Sequence, residues 1–181
     1  MDDTFRYFTA CFGDNTGWLI TAVGENPSLE GGKYHHGKWS EHAWRWPAQA
    51  DRAVHAVLEA SATADVYACP YLMRSRARTK GNAGAHILVH ADVDGQLDLA
   101  LVEDLGGFAV SSGTPGHAHV YIPLTYAVTV AQHELLCRGL AGRLGGDAKI
   151  SDNDLLRPPG TLNHKPTVAG GSPTSVRLVT P

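Results

Sequence analysis

Asp92 and Asp94 close the segment Ile87-Leu88-Val89-His90-Ala91-Asp92-Val93-Asp94-Gly95, an apolar run that ends in two carboxylates and turns at a glycine. Side chains on a strand alternate between faces, so the two acids point the same way. Carboxylates side by side repel each other unless a cation or a proton lies between them. Hard oxygen donors of this kind suit Mg2+ or Mn2+. Asp-Gly is also a common turn dipeptide, so the pair gains its meaning only from residues further down the chain. His117-Ala118-His119-Val120-Tyr121-Ile122 places His117, His119 and Tyr121 on one strand face, just after the Ser112–Gly116 turn. Asp152-Asn153-Asp154-Leu155-Leu156-Arg157-Pro158-Pro159-Gly160-Thr161-Leu162-Asn163-His164-Lys165 supplies further acids and two cations. Arg74, Arg76, Arg78 and Lys80 form the one concentrated basic patch. A charge run is usually a solvated face, but this one leads straight into the strand carrying the acid pair.

Several elements must position these groups. Residues 4–12 are amphipathic, with helix and strand both open. Gly17–Val23 is β-rich, residues 24–38 read as a Gly/His-rich loop, and Trp39, Trp44 and Trp46 lie on a returning strand. Pro47 is placed to open a helix with the stripe Ala50, Ala53, Val54, Val57 and Leu58. Asp65–Leu72 reads as a strand, as do Leu97–Val102, Phe108–Ser111, His117–Ile122 (ended by Pro123) and Thr174–Val179. A helix from Thr129 carries a Thr129–Gln132 capping box, a stripe of Leu136, Leu140 and Leu144, and a stop at Gly145-Gly146.

With 181 residues and 43% apolar content, the chain suffices for one domain with a real core. A formal charge of −3 leaves no global basic footprint, so nucleic-acid binding would need a local patch. Cys11, Cys69 and Cys137 are odd in number and far apart, which supports neither a disulfide framework nor a zinc knuckle. No signal-peptide pattern and no membrane-length apolar run occurs, so the expectation is a cytoplasmic protein without membrane association.

The acid pair, the Ser-Gly turn followed by His119-Val120-Tyr121, and an Asp followed by Arg157-Pro-Pro-Gly-Thr-Leu-Asn-His-Lys165 occur in that order. The ordered set resembles the archaeo-eukaryotic primase superfamily, most closely the primase-polymerase domains of plasmid and phage replication proteins. Asp65–Leu72, the Arg78–Asn82 stretch and Trp46-Pro47 extend the likeness over most of residues 17–165. The resemblance implies an α+β fold: an antiparallel catalytic sheet like that of an RNA-recognition motif (about 81–181) with an N-terminal αβ lobe (about 1–80) packed beside it, in one domain over 1–181. It implies a nucleotidyltransferase, a DNA primase and DNA-directed DNA polymerase, that uses two Mg2+ or Mn2+ ions. Asp92, Asp94 and Asp152 would hold the metals, with Asp154 as the alternative third acid. His119, heading His-x-Tyr, would contact the incoming nucleotide. Ser112, Arg157 and Lys165 would meet the triphosphate, while Arg76, Arg78 and Lys80 would track phosphates. The implied partners are single-stranded DNA template, primer, (d)NTPs, and helical accessory and helicase segments of a larger replication protein.

Two other readings compete. His117-Ala118-His119 imitates the metal pair of an HUH rolling-circle endonuclease, with Tyr126 as the nearest candidate nucleophile, but the acid pair would then be unexplained. A non-catalytic RNA-recognition-like module would stack bases on exposed aromatics, whereas these strand faces carry Asp and His.

Overall fold

A computed structural model describes residues 2–147 and 149–179. The chain opens with α1 (Asp3–Phe12), whose first turn is capped by the Asp2 carboxylate accepting from the Phe5 N–H. β1 (Gly17–Glu30) and β2 (Lys33–Trp46) form one long antiparallel hairpin turning at Gly31-Gly32, both at positive φ. α2 (Ala50–Ser61) follows, then β3 (Asp65–Ala68), which pairs with β1 to give the sheet order β2-β1-β3.

The second half begins with β4 (His86–Asp94) and α3 (Leu99–Asp104). β5 (Phe108–Ser111), β6 (His117–Val128) and α4 (Val130–Leu144) come next. The chain then runs through β7 (Leu162–Asn163) and a 3-10 turn (Lys165–Ala169) to β8 (Thr174–Ser175) and β9 (Arg177–Leu178). Antiparallel pairing assembles a four-stranded sheet, β4-β6-β5-β9, and β7 pairs with β8. The α+β class with antiparallel sheets expected from the sequence is therefore the observed one.

The central sheet packs on both faces. Val89, Ala91, Val93 and Val120 meet α3 and α4 through Val102, Cys137, Leu140 and Leu144. On the other face Leu88, Phe108, Val110 and Tyr121 join Tyr7, Phe8, Leu19, Ile20, Trp46 and Tyr71 of the N-terminal half in one core. Tyr7 and Tyr121 meet hydroxyl to hydroxyl at 3.1 Å across this join. Residues beyond Leu156 return to the first half: Leu156 bridges Ala68, and Thr4 Oγ1 donates to the Pro159 carbonyl.

The structure corrects several local expectations. Residues 24–38 are not a loop but the outer half of the β1–β2 hairpin, in register from Glu25↔Lys38 to Glu30↔Lys33. That half is largely solvated and lacks the apolar alternation that marks a half-buried strand. Leu97–Val102 is not a strand, because the Asp98 side chain caps the Leu101 N–H and starts α3. Pro47 precedes α2 by a turn rather than opening it, and the Asp65 strand ends at Ala68. Pro123 does not end β6 but lies within it, opposite Leu88 and beside the register shift between His86 and Leu88, where a missing N–H is tolerated. Thr174–Val179 divides into β8 and β9, which belong to different sheets. On α4 the capping box and the Gly145 stop are present. Its buried stripe, however, is His133, Cys137, Leu140, Ala141 and Leu144, while Leu136 is exposed.

Candidate active site

Register places the acids. Asp92 lies opposite His119 and Asp94 opposite His117 on β4 and β6. His86, Leu88, His90, Asp92 and Asp94 share the β4 face turned toward the N-terminal half. The row grades from buried at His86 to exposed at Asp94. Asp92 is buried, with Oδ1 at 3.4 Å from His119 Nε2 and Oδ2 paired with the Lys149 ammonium. Asp94, nearer solvent, pairs with His117 Nδ1.

Burial lowers the His119 pKa to about 4; Asp92 pulls it up, while the Lys149 and Arg157 charges push it down. The ring is therefore neutral near pH 7. Its Nδ1 is buried without a hydrogen-bond partner, which leaves one polar atom beside the acids unsatisfied.

The two candidate third acids differ in setting. Asp152 is fully buried, with Oδ1 accepting from the Gly81 N–H at 2.9 Å and Oδ2 3.0 Å from His86 Nε2. Burial raises its pKa, but the Gly81 N–H and His86 outweigh that and leave it lowered. Asp154 retains 24% side-chain exposure. Its Oδ2 accepts from the Ser151 N–H at 2.9 Å and lies 3.2 Å from His90 Nε2. There too burial raises the pKa, but His90, the Ser151 N–H and the Lys149 charge together more than reverse it and leave it lowered. His90 is two residues from Asp92 on the same face, so Asp154 reaches the row beside Asp92 and Asp152 reaches it at the far, His86 end.

The remaining predicted residues divide. Ser112 is buried in the 112–116 turn, which Asn163 Nδ2 clasps through the Ser112 carbonyl at 3.0 Å and Thr114 Oγ1 at 3.2 Å. Arg157 donates to Asp65 Oδ1 and the Tyr67 hydroxyl, with its guanidinium 4.8 Å from the Tyr67 ring centroid. Lys165 is exposed on the 3-10 turn. In the basic patch Arg78 binds Glu41 and the Asn153 carbonyl, and Lys80 pairs with Glu134. Arg76 stacks on Trp18, with Arg45 also 4.9 Å from that ring centroid.

Sequence reasoning misses Lys149, His86, His90, Tyr71, His133 and Cys137. Only the period-two row His86, His90, Asp92, Asp94 offers a signal for any of them. The others arrive from separate elements.

No family sequence model matches the chain, and comparison with characterised proteins finds no similar sequence. Solved structures do match. Primase RepB' superposes with a TM-score of 0.64 at 16% identity, covering 98% of this chain and 55% of that one. The catalytic domain of primase RepB' in complex with initiator DNA gives 0.63 at 16%, covering 99% and 85%. The archaeo-eukaryotic primase domain of the cyanophage S-2L primase-polymerase gives 0.61 at 15%, covering 98% and 90%. The chain has a primase-polymerase fold. This chain thus spans about half the length of the full RepB' primase and most of the isolated catalytic domains. Within the primase-polymerase fold Tyr126 is 73% exposed on β6, beyond the buried stretch that carries His119. Both histidines of the His-Ala-His sequence face an Asp. No helix among the described residues is long and apolar enough to cross a membrane.

Proposed function

We propose that this domain is a DNA primase-polymerase that transfers nucleotidyl groups from (d)NTPs to a primer on a single-stranded DNA template, in plasmid or phage replication. One observation carries the reading: a strand-borne acid pair facing two histidines in register, on the sheet face turned toward the N-terminal half of a primase-polymerase fold.

The donor set fits two hard divalent ions. Asp92 already attracts a cation in Lys149, and Asp94 and Asp154 offer further carboxylate oxygens along the same row. We assign Asp92, Asp94 and Asp154 as the ligands. Asp152, whose two oxygens are both engaged, holds residues 81–86 against the 151–154 loop. Mg2+ or Mn2+ bound there would supply charge for the attacking and leaving oxygens of an in-line displacement. His119 stands beside Asp92 with its buried Nδ1 unpaired, and an approaching phosphate anion would favour its protonated, donating form. Lys149 and the exposed Lys165 add positive charge for the nucleotide phosphates, and the Ser112–Gly116 turn borders the bound nucleotide. Arg157 acts from the second layer by fixing Asp65 and Tyr67. The helicase and helical accessory partners belong to the same reading.

Extension of a labelled primer on single-stranded template with Mn2+ and dNTPs tests the assignment. Wild type and Asp152→Asn should extend, whereas Asp92→Asn and Asp154→Asn should not. Extension by Asp92→Asn would overturn the metal site. Extension by Asp154→Asn with none by a folded Asp152→Asn would move the third ligand to Asp152.

A further inference from the structure

Behind the acid row lies a second cluster with different chemistry. His90 Nδ1, His133 Nε2 and Cys137 Sγ are buried and lie within 4.8 Å of one another. Cys137 Sγ is 3.4 Å from His133 Nε2 and 3.9 Å from His90 Nδ1. Around a tetrahedral zinc, bond lengths near 2.05 Å to nitrogen and 2.3 Å to sulfur set nitrogen–sulfur separations of about 3.5 Å. The Tyr71 hydroxyl sits among these atoms, 2.6 Å from His90 Nδ1 and 2.7 Å from His133 Nε2.

We propose that His90, His133, Cys137 and Tyr71 form a structural site for a borderline-soft transition metal, Zn2+ by ligand chemistry, distinct from the carboxylate site for Mg2+ or Mn2+. Imidazole and thiolate donors select zinc over magnesium or calcium. His133 and Cys137 are one helical turn apart on α4, which meets β4 at the edge of its sheet, where the His90 backbone N–H donates to Cys137 Sγ at 3.5 Å. The second layer is in place as well. The Asp154 carboxylate takes the Nε2–H of His90, which leaves Nδ1 bare and aimed into the cluster. This is the carboxylate–histidine–metal arrangement that orients metal-bound imidazoles. Without a metal, the Tyr71 hydroxyl donates its one proton to His90 Nδ1 and accepts from His133 Nε2–H, so metal binding at Nε2 moves that ring proton to Nδ1. Binding releases the Cys137 thiol proton to solvent and forms the sulfur–metal bond, while the Tyr71 hydroxyl coordinates through an oxygen lone pair and keeps its proton. The thiolate, with Asp154 behind His90 and Asp152 behind His86, offsets the ion's charge. Tyr71 must withdraw slightly, because its oxygen–nitrogen separations are shorter than the roughly 3.3 Å of a tetrahedral site.

The test needs no nucleotide, so it succeeds or fails independently of the polymerase reading. Chelator-treated protein in excess Mg2+, which fills the hard site, is titrated with Co2+ and followed by absorption. One equivalent should produce a thiolate-to-cobalt charge-transfer band and tetrahedral d–d bands, both displaced by Zn2+. Cys137→Ser should lose the charge-transfer band. Asp92→Ala should keep it, and Asp154→Asn should weaken Co2+ binding by about 10- to 100-fold. If Cys137→Ser does not fold, a Cys11→Ser/Cys69→Ser double variant replaces it and should retain the band. Absence of the band in wild type, its survival in Cys137→Ser, or its loss in a folded double variant would each overturn the site.

Discussion

Asp92 and His119 are direct cross-strand partners, and the same carboxylate reaches Lys149 with its other oxygen. A divalent ion that binds Asp92 must therefore displace an ammonium. Removing that competitor should favour metal: in Lys149→Met, the Mn2+ concentration giving half of the maximal thermal shift should fall several-fold. An ion pair whose ammonium stays half-exposed, as that of Lys149 does, is worth about 1 kcal/mol, roughly a factor of five. Asp92→Ala should lose the Mn2+ shift, as measured by thermal melts with nucleotide present.

His119→Ala should reduce kcat or raise the KM for nucleotide by about ten- to a hundredfold, the effect of losing a charge-assisted contact of roughly 1.5–3 kcal/mol. Tyr126→Phe should leave extension intact. The same reactions on a denaturing gel, with labelled single-stranded DNA and Mn2+, should contain no covalent protein–DNA adduct. An adduct that disappears in Tyr126→Phe would favour the endonuclease chemistry instead.

DNA affinity should depend on Arg74 and Arg76 more than on Arg78 or Lys80, which already face Glu41 and Glu134. Replacing Arg74 and Arg76 with Ala should lower the salt-dependence slope of single-strand binding by about 1.4, at roughly 0.7 per phosphate contact. Arg78→Ala should change that slope little. Its main effect should be on stability and metal response, because it releases the Asn153 carbonyl beside both third-acid candidates.

Asp65 ties β2 and β3 to residues 157–164. Its buried carboxylate accepts from Arg157, Tyr34 and the His164 N–H and also faces His36. Asp65→Ala should destabilise the domain by about 3–5 kcal/mol, since it strands the Arg157 charge. Burial raises the Asp65 pKa, but Arg157 and then the hydrogen bonds more than reverse it, so the folded value is lowered. The unfolded chain then binds the extra proton. Asp65 stabilises fully above its unfolded value near 3.8, and that contribution is lost as pH falls through the lower folded one. Denaturant melts of a folded Asp65→Asn variant should accordingly show a shallower loss of stability on the acid side of pH 4 than wild type.

The sequence by itself determined the acid pair, the histidine strand and the order of the motifs, because period two fixes which side chains share a face whatever lies around them. The α4 cap and stop were legible for the same local reason: Thr129, Gln132 and Gly145 act within one turn of the helix ends. The outer β1–β2 hairpin was not legible, since its pairing comes from neighbouring backbone and its side chains bury little. Leu97–Val102 read as a strand because so short a run of mostly apolar residues fits either period, and only the Asp98 cap marks the start of α3. Tertiary structure alone set the different partners of the two neighbouring carboxylates. Asp152 and Asp154 are two residues apart, yet one is saturated by Gly81 and His86 while the other stands beside His90. Tertiary structure also turned half of the basic patch into internal ion pairs and gathered Tyr71, His90, His133 and Cys137 from three separate elements. Such choices depend on long-range contacts, where the desolvation of each group is set by whatever the fold brings against it.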